Sequence, residues 1–98
     1  MSVMIDSVLI QNGGHSAADL DGGVVVLGLR AGYYFGFNRV ASEIWHMLAE
    51  PRRVGEILDS LSERHDVDRA TLVRDVTPFL QTLVAYRLVR VIDPDEES

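Results

Sequence analysis

The spacing of apolar positions changes near Asn38. Before it, short runs of β-formers lie between glycines; after it, apolar residues recur every three or four positions. Val8-Leu9-Ile10 predicts a short strand, ended by Asn12-Gly13-Gly14. Ser16–Leu20 is expected to pair loosely with the run that follows it. Asp21-Gly22 marks a turn, since glycine tolerates positive φ, and Val24-Val25-Val26-Leu27-Gly28-Leu29 reads as a strand. Arg30-Ala31-Gly32 is a second turn, so Tyr33-Tyr34-Phe35-Gly36-Phe37 closes a predicted β-hairpin. In that last run Tyr33, Phe35 and Phe37 fall on one face, with Tyr34 and Gly36 on the other.

Three helices are predicted next. Asn38 is suited to cap the first, whose stripe is Ala41, Ile44, Trp45 and Leu48, with Pro51 as its expected end. Val54, Ile57, Leu58 and Leu61 mark a second helix that stops near His65-Asp66. Asp68 caps the third, where Val67 can pack on Leu72 as a hydrophobic staple. Leu72, Val76, Leu80 and Leu83 form its inner face. Pro78 interrupts this helix at a cost of about 3 kcal/mol, so a kink or a break into two segments is expected, the kink being favoured by the uninterrupted spacing. Leu88–Ile92 predicts a final strand. The sum is an α+β domain of winged helix-turn-helix type.

Composition narrows the function classes. The 98 residues fit one domain, taken as residues 1–92, followed by a solvated, disordered acidic tail at 93–98. With 47% hydrophobic and 24% charged residues the chain is expected to fold. The formal net charge of −6 disfavours nucleic acid, which needs a basic face. No segment has the length and apolarity of a membrane span or the pattern of a signal peptide, so a cytoplasmic protein is expected. Absence of cysteine removes disulfides, thiolate metal sites and cysteine nucleophiles.

Catalytic parts are missing. His15, His46 and His65 lack the helical spacing of a metal pair and read as surface residues. Asp19 and Asp21 flank a turn, where Asp serves local hydrogen bonding. Neither a nucleophile elbow nor a phosphate loop occurs. No catalytic residue, cofactor or metal is therefore expected.

Two features invite a binding function. Tyr33–Phe37 is an uncharged aromatic strand without the charge or proline that normally blunts a free edge. Such an edge could accept a peptide as an added strand, and Gly36 would ease close backbone approach. On pattern alone the plainer reading, in which these aromatics are core, is favoured. The third helix carries a second stripe, Asp75, Phe79, Thr82 and Tyr86, which either lines a groove or widens the buried face. Trp45 reads as core.

In order and spacing, these residues resemble the PqqD-like proteins. The likeness runs from about Leu20 to Val89: Asp21-Gly22-Gly23, Gly32-Tyr33-Tyr34-Phe35-Gly36-Phe37-Asn38, Ile44-Trp45, Leu48, then Val54-Gly55-Glu56-Ile57-Leu58 and Asp75-Val76 with Phe79-Leu80 and Leu83. The resemblance implies three antiparallel strands followed by three helices, in a non-catalytic element that binds the leader of a ribosomally made precursor peptide. It implies that the leader adds to the third strand and lies against the third helix. The implied peptide-binding residues are Tyr33, Tyr34, Phe35, Gly36 and Phe37 on the strand, and Asp75, Phe79, Thr82 and Tyr86 on the helix. Arg30-Ala31-Gly32 replaces the Pro-Glu-Gly turn typical of the member serving pyrroloquinoline quinone synthesis. The remaining motifs are more similar to free-standing recognition proteins of lasso-peptide clusters, which implies a separate leader peptidase and an ATP-dependent cyclase as partners. A PqqD-type chaperone for another modified peptide or cofactor pathway, and a winged-helix DNA-binding regulator, are the alternatives. Two departures stand out: Arg53 where the family often caps the second helix with Thr, and Pro78 in the third.

Overall fold

The architecture comes from a computed structural model, which describes residues 3–13, 15–20, 23–28 and 33–92. The turns expected at Asp21-Gly22 and Arg30-Ala31-Gly32 and the acidic tail lie outside the described residues. β2 (His15–Leu20), β3 (Gly23–Gly28) and β4 (Tyr33–Phe37) form an antiparallel sheet in that order. Helices α1 (Arg39–Met47), α2 (Val54–His65) and α3 (Arg69–Ala85) follow, as expected for an α+β winged helix-turn-helix domain. β2 pairs along all six of its residues, which is firmer than the loose pairing expected of it.

A second antiparallel sheet is the main addition. β1 (Val8–Gln11) lies between β5 (Arg52–Arg53) and β6 (Val89–Ile92). Both outer runs predicted from the sequence, Val8–Ile10 and Leu88–Ile92, therefore exist as strands, and each is the other's partner. Main-chain bonds tie this sheet to the helix ends: Gln11 donates to the Leu48 carbonyl (2.8 Å) and Asn12 to the Leu88 carbonyl (2.8 Å). The Gln11 amide also donates to Trp45 O (2.7 Å), and Arg52 Nε to Met47 O (3.2 Å). α1 consequently ends at Met47, before Pro51, with Leu48 as its cap and the Leu48 carbonyl used by β1.

The helix starts show how local signals and tertiary contacts share the work. Asn38 Oδ1 accepts from Ala41 N (2.8 Å), and Asp68 Oδ2 from Thr71 N (3.2 Å). Arg53 offers α2 no such acceptor. The free N–H groups of Val54 and Gly55 donate instead to the carbonyls of Ser7 (2.9 Å) and Ile5 (3.1 Å), while Glu56 accepts from Arg53 N (3.3 Å). α3 runs unbroken through Pro78. Pro78 and Arg74 are both exposed, so water can satisfy the Arg74 carbonyl that Pro78 leaves without its helical donor.

The core joins both sheets and all three helices through Val26, Phe37, Ile44, Trp45, Ile57, Leu61, Leu80 and Leu83, with Leu9 and Val89 from the second sheet. His65 departs from its expected surface role. It is partly buried and its Nε2 lies 2.7 Å from Glu43 Oε2, tying α2 to α1. That hydrogen bond, helped by the nearby positive charges of His65, Arg64 and Arg39, holds the Glu43 carboxyl below the usual range despite its burial. His46 is exposed and sits 3.3 Å from Asp19; the side chain of His15 lies outside the described residues.

Candidate functional site

β4 is the outermost strand of its sheet, and α3 supplies the aromatic residues against which it packs. The period of two divides its side chains. Phe37 is buried and Phe35 half-buried against the helices, whereas Tyr34 is 71% exposed on the opposite face. The Phe37 ring meets Phe79 edge-on at 5.4 Å and lies 5.7 Å from Trp45. Phe35 meets Tyr86 edge-on at 5.1 Å. Edge-to-face pairs of this kind add about 0.5–1.5 kcal/mol each beyond area burial.

Each helix-side residue singled out by the sequence has a distinct place. Asp75, Phe79, Thr82 and Tyr86 follow one another along one side of α3. Phe79 is half-buried; Asp75 and Thr82 are exposed, and Tyr86 is 51% exposed. The Thr82 hydroxyl donates to Pro78 O (3.0 Å), which orients it along the helix. Arg74 Nε lies 3.4 Å from the Asp75 carboxylate. The structure thus brings Phe35, Phe37, Phe79 and Tyr86 together, while the Tyr34 side chain points away from them. Tyr33 opens β4, and its side chain lies outside the described residues.

The direction of the main-chain groups follows from one close approach. A Cβ on Gly23 would collide with the carbonyl oxygen of Phe37, so that carbonyl is turned toward β3. Antiparallel ladders alternate. Phe35 therefore also pairs inward, and Tyr34 and Gly36 direct their N–H and C=O groups to the outer edge. Nothing lies within 4 Å of a Cβ built on Gly36, so no contact inside the chain demands glycine there.

Beyond the last residue of β4 the aromatic floor opens into a cavity of about 390 Å³ between α1 and α3. Val40, Ala41 and Ile44 form one wall, Leu72, Val76 and Phe79 the other, and Asn38 and Asp75 also line it. The α1 side was not among the residues singled out from sequence. Val40 beside the Ala41-Ile44-Leu48 stripe was its only signal, and a widened core stripe looks the same. Among the described residues no group of three or more His, Asp or Glu side chains could hold a metal, and no helix is long and apolar enough to cross a membrane.

Comparison with known proteins bears on this edge and floor. Residues 23–89, from β3 into β6, match the family model of coenzyme PQQ synthesis protein D, PqqD. The chain belongs to the PqqD family. Among solved structures, this PqqD-family chain is similar to TbiB1, determined in complex with the TbiA(beta) leader peptide. The two are 38% identical with a TM-score of 0.75, over 82% of this chain and 93% of TbiB1. The search of curated proteins found no match.

Proposed function

We propose that this chain is a non-catalytic adaptor that binds the leader region of a ribosomally synthesised precursor peptide. The leader adds to β4 as a further strand, bonded to the outward main-chain groups of Tyr34 and Gly36. Its inward side chains lie over Phe35, Phe37, Phe79 and Tyr86, with Asp75 and Thr82 on the helix flank. The carrying observation is that β4 is an outer strand, with no further strand beside it among the described residues, above an aromatic floor, in a chain 38% identical to one solved with a leader peptide. We assign the precursor to the lasso-peptide class, and the bound leader is handed in the cytoplasm to a separate leader peptidase that works with an ATP-dependent cyclase. The Arg30-Ala31-Gly32 turn and the motifs that resemble free-standing recognition proteins of lasso-peptide clusters support this assignment over a PqqD-type role in another pathway.

Isothermal titration of the purified protein with a synthetic lasso-precursor leader is the direct test, and saturable binding without any enzyme present is expected. Absence of saturable binding sinks the reading. Gly36→Pro removes one outward N–H and none of those paired with β3. It is expected to weaken leader binding about tenfold while the circular dichroism spectrum is retained. Unchanged affinity in a folded variant would move the site off this edge.

A further inference from the structure

One close polar pair joins α1 to the end of α2. His65 Nε2 lies 2.7 Å from Glu43 Oε2, and Arg64 Nη1 lies 3.9 Å from Glu43 Oε1. This is the most enclosed ion pair among the described residues. Its side chains are 29% and 24% exposed, against 60% and 78% for the other histidine–carboxylate contact, His46 with Asp19. A carboxylate only accepts, so the imidazole donates from Nε2 in both of its charge states. That hydrogen bond, with the charges of His65, Arg64 and Arg39, holds the Glu43 carboxyl below its ordinary range. Glu43 is therefore ionised throughout the interval of about pH 5 to 8 in which an imidazole changes charge. When His65 takes up its proton the bond joins opposite charges and tightens. Arg39 faces the pair from α1 and Arg64 from α2, and Asp66 follows His65 in the turn. At the start of α3, Asp68 is engaged with Thr71 and Arg69 with Asp59.

Both partners stand beside the cavity that continues the candidate leader site. Glu43 directly precedes Ile44, part of the α1 wall, and His65 is two residues before Val67, which also lines the cavity. The link from His65 to Val67 is not helical. Asp66 takes the left-handed conformation (φ 50°) at the end of α2, and the Val67 carbonyl accepts from the Ser62 hydroxyl (3.0 Å). Ser62 thus fixes Val67 through its main chain, and His65 fixes the turn that leads to it. Drawing His65 onto Glu43 brings this turn and α1 together, and with them two sides of one cavity.

We propose that the His65–Glu43 pair is a pH-sensitive latch that positions Val67 and the α1 wall for the leader, closing and raising leader affinity when His65 is protonated. Both are positioning residues, acting through the cavity walls. This rests on the adaptor reading above. Methyl NMR of the full chain between about pH 8 and 5.5 reads the latch without a ligand. The Val67 and Ile44 methyl signals are expected to follow a histidine transition in the wild type and to stay flat in His65→Gln, which keeps a donor but takes no charge. Calorimetry with the synthetic lasso-precursor leader is the second reading. Over the same interval Kd should fall at least about threefold more in the wild type than in His65→Gln, a comparison that cancels any titration of the leader itself. If His65→Gln fails to fold, Glu43→Gln carries the same affinity comparison. A flat wild-type methyl profile, a transition that persists in His65→Gln and so belongs to another histidine, or an equal pH dependence of Kd in wild type and variant would each overturn the latch. Absence of saturable leader binding at either pH would instead overturn the adaptor reading, while the methyl profile still decides on the latch.

Discussion

The two three-stranded sheets share one core, but aromatic rings secure the first to the helices where polar bonds supplement the second. The β2–β3–β4 sheet is fastened through β4 side chains, Phe35 on Tyr86 and Phe37 on Phe79 and Trp45. The β5–β1–β6 sheet buries Leu9 and Val89 in the same core and adds polar ties, with Gln11, Asn12 and Arg52 bonded to carbonyls at the ends of α1 and α3. Aromatic anchoring leaves the outward main-chain groups of Tyr34 and Gly36 without a strand partner among the described residues. Polar anchoring spends main-chain groups at the ends of the second sheet. One sheet thus keeps a ladder edge that can be extended, and the other has its end groups committed to the helices.

Three substitutions can break or sharpen that contrast. Phe37→Ala removes the ring on which the first sheet depends, and urea denaturation should show a loss of about 3–5 kcal/mol. Hydrogen exchange should show β3 and β4 losing protection while β1 and β6 keep theirs; uniform loss would mean that the sheets are one cooperative unit. Gln11→Ala deprives Trp45 O of its side-chain donor at a partly buried site, and the expected cost is about 1–3 kcal/mol by the same assay. A cost near zero would show that the second sheet is held by its packing alone. Tyr34→Ala changes an exposed ring on the far face of β4. Stability should stay within about 0.5 kcal/mol and leader affinity nearly constant, since its role is main-chain only. A large affinity loss would bring the outer face of the sheet into the site.

Legibility from sequence followed the range of the interactions. Asn38 and Asp68 cap their helices because their acceptors act three residues away. The alternation of Phe35, Tyr34 and Phe37 was readable because strand period is local. The second sheet was not readable as a sheet, since β5 is only two residues long and Val8 pairs with Ile92 across nearly the whole chain. The weak cap at Arg53 was visible, but its remedy, the carbonyls of Ile5 and Ser7, lies in a distant segment. In the candidate site, the strand and α3 stripes were legible as periodicities. Tyr34's turn away from the groove follows from the same alternation, while the α1 wall of the cavity depends on how two helices splay and left only an ambiguous trace.

The Val8–Ile92 pairing has a consequence for the order of events during synthesis. β2, β3 and β4 neighbour one another along the chain, and their hairpins can close as soon as residue 37 has left the ribosome. β1, made earlier, must wait for residue 92 before its central ladder can form. The nascent chain therefore presents a finished aromatic strand well before the domain is sealed. The second sheet acts as the clasp, closing last on a molecule whose β4 edge is already in place.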